Sequence, residues 1–240
     1  MSGHSKWSTI KRQKGAADVV KGRVFTQAAR AITIAVLEGG GVSDPDHNFR
    51  LRLAIEKARQ VNVPKENIQR AIEKGKGGGA GAMEQVTYEA YGPGGAAMLI
   101  EAVTNNKQRT VALVKNLFDR AGFALASPGA VSYLFVRSGI VTVPKGSHTA
   151  DSILEAALDA GASDVVETGD MFEVYTEVGK LSEVKCALLD KNIVIDNTEI
   201  IMKPIIPVSC TADELRHIDQ FIENVEGLDD VHAVFTNVGN

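Results

Sequence analysis

Few residues in this chain have the types and spacing that bond-making chemistry needs. Ser8-Thr9-Ile10-Lys11 has the S-x-x-K spacing in which a lysine can activate a serine nucleophile, but the companion motifs of such enzymes are missing. Gly92-Pro93-Gly94-Gly95-Ala96-Ala97 follows the order of a dinucleotide-binding turn. That turn must follow a strand and open a helix; here the glycines precede a strand pattern, which predicts a hairpin turn. The five histidines (His4, His47, His148, His217, His232) are scattered, and Cys186 and Cys210 belong to no C-x-x-C pair. No metal site is expected, because a structural zinc needs about four ligands at set spacing. The cysteines read as reduced thiols. The carboxylate pairs Asp44/Asp46 and Asp229/Asp230 are explained by a helix's first turn and by the entry to a strand. No nucleophile, base and stabiliser converge, so neither an enzyme nor a cofactor or small-molecule substrate is expected.

What remains is polyanion chemistry. Residues 2–30 hold Lys6, Lys11, Arg12, Lys14, Lys21, Arg23 and Arg30 against one acid, Asp18, with Trp7 inside the run. Lysine and arginine neutralise phosphates and release counterions. Trp7 has two readings, a ring that stacks on an unpaired base or an anchor that packs the segment onto a helical core. The net charge of −4 hides a division. Residues 1–76 carry fifteen Lys and Arg against seven Asp and Glu, a balance of +8, and residues 77–240 carry −12. The pattern is that of a nucleic-acid-binding module on an acidic body.

Three helices are expected to position the cations. Phe25, Ala28, Ile32 and Ala35 recur at helical spacing, with Arg23, Gln27 and Arg30 on the opposite face. Asp44-Pro45 reads as an N-cap and first-turn proline ahead of a helix burying Leu51, Ala54, Ile55 and Ala58. A third helix follows Asn62-Val63-Pro64, buries Ile68, Ala71 and Ile72, and ends with Gly75 at C′. Asn67 and Gln69 on it are the nearest candidates for reading base edges. Five glycines between Gly75 and Gly81 predict a linker.

Beyond the linker, strands are expected at 86–91, 96–104, 164–167, 172–177, 199–203 and 231–237. Helices are expected at 110–121, 150–160, 181–191 and 213–225. Strands 131–136 and 140–143 flank Arg137-Ser138-Gly139, a hairpin turn signal. The predicted fold class is α+β multidomain: an N-terminal three-helix domain, then two ferredoxin-like α/β domains, the last inserted in the middle one. The expected boundaries are 1–78, 79–130 with 205–240, and 131–204. The polar, basic start is no signal peptide, and the apolar runs are too short to cross a membrane, so a cytoplasmic protein is expected.

The chain also resembles the YebC/PmpR family along nearly its whole length. The resemblance rests on Ser2-Gly3-His4-Ser5-Lys6-Trp7, Gly22-Arg23-Val24-Phe25-Thr26, Asp44-Pro45-Asp46-His47-Asn48 and Val63-Pro64-Lys65-Glu66-Asn67-Ile68. Tyr88-Glu89-Ala90-Tyr91-Gly92-Pro93-Gly94-Gly95, Asn105 to Thr110, Val131-Ser132-Tyr133-Leu134-Phe135 and Leu228-Asp229-Asp230-Val231 extend it. Ala121-Gly122-Phe123-Ala124-Leu125-Ala126 departs from the family's Gly-Gly-Asn-Leu-Gly-like run. The resemblance implies three domains and a cytoplasmic, non-enzymatic regulator that binds promoter DNA. It also implies an alternative, a ribosome-associated translation factor contacting rRNA or tRNA.

Overall fold

The structure is a computed structural model that describes residues 17–77, 83–146 and 148–239. Helices α1 (Ala17–Glu38), α2 (Phe49–Gln60) and α3 (Lys65–Gly75) come first. Then follow β1 (Glu84–Tyr91), β2 (Ala97–Thr104), α4 (Lys107–Ala121), β3 (Ala124–Ala126), β4 (Phe135–Pro144), α5 (Ala150–Leu158) and β5 (Ala162–Thr168). The order continues with β6 (Met171–Thr176), α6 (Leu181–Asp190), β7 (Asn197–Pro204), β8 (Val208–Ser209), α7 (Ala212–Glu226), β9 (Val231–Thr236) and β10 (Val238–Gly239). The fold class is therefore α+β, a helical N-terminal region followed by α/β structure. The described residues form two compact units, one from 17–133 with 208–236, the other from 134–207 with 237–239.

In the first unit, α1, α2 and α3 close a core of Ile32, Val36, Leu51, Ile55, Ala58, Ile68 and Ile72. The expected apolar faces are the buried ones, because 3.6-residue periodicity fixes which side chains share a face. The caps differ from expectation. Asn48, not Asp44, starts α2: its side-chain oxygen accepts from the Leu51 N–H at 3.1 Å. Its amide donates to Ala35 O at 2.8 Å and Val42 O at 3.0 Å, tying the start of α2 to the end of α1. Asp44 instead closes the preceding turn, accepting from the Asp46 N–H at 2.9 Å. Gly75 is the last residue of α3 rather than a C′ residue. A Cβ there would lie 2.6 Å from Val36 Cβ and 2.8 Å from Thr33 O, so glycine serves the close approach of α3 to α1.

The sheet of this unit has the order β3-β1-β2-β9, antiparallel throughout. Its centre is the β1–β2 hairpin, turned at Gly94 and Gly95 with φ of +66° and +78°, which glycine adopts without strain. α4 and α7 pack together through Phe118, Phe123 and Phe221. Phe123 and Phe221 stack at 3.9 Å between centroids, and Phe118 meets Phe221 edge-on at 4.8 Å. β3, which no sequence signal marks, adds to the outer edge of β1.

Glu89 on β1 secures the segment after β3. Its carboxylate accepts from the N–H groups of Gly129 and Val131 at 2.6 Å and of Ser132 at 3.0 Å. Tyr91, two residues along the same strand face, donates its hydroxyl to Ala130 O at 2.7 Å. Burial pushes the Glu89 carboxyl up, but the backbone donors outweigh it and hold it below the ordinary carboxylate range.

The second unit is a β-α-β-β-α-β run with the sheet order β5-β6-β4-β7, all antiparallel, the arrangement of a ferredoxin-like fold. The first sheet, by contrast, is organised around its central hairpin. The hairpin expected across Arg137-Ser138-Gly139 is absent, because β4 runs unbroken through it. A Cβ on Gly139 would sit 2.6 Å from Thr176 Oγ1 and 2.9 Å from Leu181 Cδ1. That glycine marks close packing in a central strand, and a sequence pattern alone does not separate this use from a turn.

Candidate nucleic-acid interface

Of the cations singled out from sequence, Lys6, Lys11, Arg12 and Lys14 lie outside the described residues, as does Trp7. Lys21 and Arg23 occupy the first two turns of α1. Arg30 follows two turns after Arg23 and is held by the protein itself. Its Nη1 donates to Val231 O at 3.1 Å, its Nη2 lies 4.0 Å from Asp229, and its side chain is 14% exposed. Burial lowers its pKa, opposed by the neighbouring carboxylates of Asp229 and Asp230. The expectation of an outward Arg23–Gln27–Arg30 face therefore fails at Arg30. The period of one helix shows which face is polar, not what covers it.

The later cations divide in two. Arg50 pairs with Glu38, which also accepts from the Gln85 amide at 3.3 Å. Arg52 donates to Pro45 O at 3.0 Å and Asp46 O at 3.1 Å, and Lys76 pairs with Glu73 at 2.7 Å. These fasten helices and turns. Arg59, Lys65, Arg70 and Lys74 are exposed, and no hydrogen bond or ion pair engages their side chains among the described residues. The charge count of the sequence merges two populations that the structure separates. Asn67 is half-buried and Gln69 donates its amide to Glu73 at 3.1 Å, so α3 offers little free hydrogen-bonding capacity toward base edges.

Sequence reasoning missed a polar cluster where β2 ends and α4 begins. Asn106 caps α4, its side-chain oxygen accepting from the Arg109 N–H at 3.0 Å. Asp230, just before β9, accepts from Thr110 Oγ1 at 2.7 Å, Arg109 Nη2 at 2.9 Å and Thr104 Oγ1 at 3.3 Å. Burial raises the Asp230 pKa, but the Thr110 and Arg109 hydrogen bonds prevail and lower it overall. The available signal was two threonines at core-facing positions, Thr104 and Thr110, which demand a buried acceptor. That the acceptor is Asp230, more than a hundred residues on, is invisible to local pattern. The cluster is structural: it joins β2, α4 and β9, and Arg30 reaches the same Asp229–Val231 turn from α1.

Among the described residues no group of His, Cys, Asp and Glu could hold a metal ion, and no helix is long and apolar enough to cross a membrane. Fold and charge define the class, a multidomain α+β protein with a basic helical N-terminal region and an acidic remainder. The chain belongs to the TACO1/YebC family: residues 5–78 match the family's N-terminal domain and residues 83–238 its second and third domains. A "probable transcriptional regulatory protein" of Chloroflexus aurantiacus is 45% identical over 99% of this chain and 95% of its own length. A protein of the same description from Rubrobacter xylanophilus is 43% identical over the same shares. The crystal structure of a conserved hypothetical protein from Aquifex aeolicus superposes with a TM-score of 0.82 at 37% identity, covering 96% of this chain and 95% of that one.

Proposed function

We propose that this protein is a non-enzymatic, cytoplasmic factor that regulates transcription by binding DNA. The observation that carries the reading is the charge division, +8 over residues 1–76 against −12 over the rest. The description of its relatives as probable transcriptional regulatory proteins supports it. Lys6, Lys11, Arg12, Lys14, Lys21 and Arg23 contact phosphates, with Trp7 beside them, while Arg30 holds α1 against the turn before β9. We read the chain as three domains, 1–78, 79–130 with 205–240, and 131–204. The membership of β9 in the sheet of β1 and β2 supports the discontinuous middle domain.

The test is the salt dependence of duplex DNA binding. Five phosphate contacts give a log K against log salt slope near −4.5. Reversing charge at Lys11, Arg12 and Lys14 flattens it; an unchanged slope refutes the assigned footprint. In parallel, selection from a randomised duplex pool is set against co-sedimentation with ribosomes. Enrichment of a sequence bound about 10³-fold over scrambled duplex supports the transcriptional reading. Ribosome binding that disappears without residues 2–14, with no duplex preference, replaces it with a translation factor contacting rRNA or tRNA.

A further inference from the structure

Four helices accompany the two sheets, and one differs from the others in charge. α4 carries Lys107, Arg109, Lys115 and Arg120 against Asp119, a balance of +3. α5, α6 and α7 carry −2, −1 and −4. This cationic helix sits in the part of the chain whose overall balance is −12.

Its burial is narrow. Thr110, Val114 and Phe118 face the protein, and most of the remaining circumference is exposed. At about 100° per residue the exposed arc spans roughly 200°, from Val111 to Leu113, and Gln108, Ala112 and Asn116 lie within its middle part of roughly 140°. Lys115 borders that middle part on one side and Arg120 on the other, and Asp119, between Gln108 and Ala112, is its single acid. Two of the helix's cations are committed, Arg109 to Asp230 at 2.9 Å and Lys107 to Glu84. Lys115 and Arg120 are engaged by no hydrogen bond or ion pair among the described residues.

We infer that α4 is a second nucleic-acid contact and that its outer arc seats in the major groove of B-form DNA. The inference rests on the DNA-binding reading above. The groove, about 12 Å wide, admits one α-helix between two walls of phosphate. A helix suited to it carries cations along its borders and base-reading groups between them, the layout of Lys115 and Arg120 around Gln108, Ala112 and Asn116, with the Asp119 carboxylate between Gln108 and Ala112 able to accept from a cytosine amino group. Glutamine and asparagine match the adenine edge, and alanine meets the thymine methyl. The deep, narrow major groove of duplex RNA does not admit such a helix. α4 thus supplies the exposed amides that α3 does not.

The experiment titrates the full-length protein with a labelled B-DNA duplex of several helical turns, and with a duplex RNA of equal length, across a salt series. Lys115→Ala with Arg120→Ala removes two phosphate contacts and is expected to reduce the DNA slope by about 1.8. On the unsubstituted protein, bound DNA is expected to protect Lys115 from acylation, read by mass spectrometry, which needs no variant to fold. If the protein binds DNA through its N-terminal cations, yet the double variant keeps its slope and Lys115 acylates equally with and without DNA, α4 is not a contact and the DNA-binding reading stands. A slope change on duplex RNA alone also overturns the groove assignment. If the protein binds no DNA at all, the transcriptional reading fails and this inference falls with it.

Discussion

Helices α4 and α7 make a natural pair. Each has fifteen residues, begins at a side-chain cap (Asn106 or Thr211) and turns three residues inward. Both contribute to one aromatic cluster, where Phe118 and Phe221 meet. Their buried halves answer the same demand, covering apolar surface in rotamers that interlock. Their exposed halves are opposed, +3 against −4. α7 places Asp213 and Glu214 in its first turn, where the helix dipole favours them; α4 places Lys107 and Arg109 there, against the dipole. The fold itself engages part of each outer half, Lys107 with Glu84 and Arg109 with Asp230 on α4, Asp213 with Arg216 and Glu214 with Thr211 on α7. On α4 it is therefore Lys115 and Arg120 that report what the helix meets in solution.

The comparison breaks most severely at the shared cluster. Phe221→Ala removes the ring that contacts both Phe118 and Phe123, and a cost of about 3–5 kcal/mol is expected for deleting a buried aromatic. Urea unfolding followed by circular dichroism checks it; a cost below about 1 kcal/mol means that the two helices do not depend on a common core.

A smaller effect, confined to the α4 side, is expected from Asp230→Ala. It leaves the Thr104 and Thr110 hydroxyls without their carboxylate, at about 1–3 kcal/mol. The same group sets a pH dependence. The Asp230 and Glu89 carboxyls are both held below their ordinary values in the fold. Their contribution is therefore complete above the unfolded carboxylate range, and it is lost as pH falls from about 4 through the lower folded values. Melting temperature measured from pH 6 to pH 3 should drop less steeply in Asp230→Ala than in the unsubstituted protein. Parallel curves remove Asp230 from the linkage.

Next in size are the caps. Asn106→Ala and Thr211→Ala are each expected to cost about 1 kcal/mol, since both side chains accept from an N–H in the helix's first turn. Near-equal costs support the view that the helices differ only outside; a cost confined to one helix contradicts it. The smallest stability effect belongs to Lys115→Ala with Arg120→Ala. Exposed and unpaired, these side chains should leave the unfolding free energy within about 0.5 kcal/mol. A larger loss would assign the outer charge of α4 to folding rather than binding.

Much of this architecture was legible in the sequence. The faces of α1, α2 and α3, the β1–β2 turn, and the placement of α4 to α7 follow from periodicity and turn chemistry, which act over a few residues. So does the charge division, which needs only counting. Four features required the tertiary structure. Asn48 outcompetes Asp44 as a cap because its amide also reaches Ala35 and Val42. Gly75 and Gly139 read as punctuation but serve close packing against residues far along the chain. Arg30 sits on a polar face that the Val231 backbone covers. Thr104, Thr110 and Arg109 converge on Asp230, about 120 residues away from the start of α4. In each case the partner is distant in sequence. A local pattern states what a residue needs, such as a donor, an acceptor or room for a neighbour, and only the folded chain decides which residue meets the need.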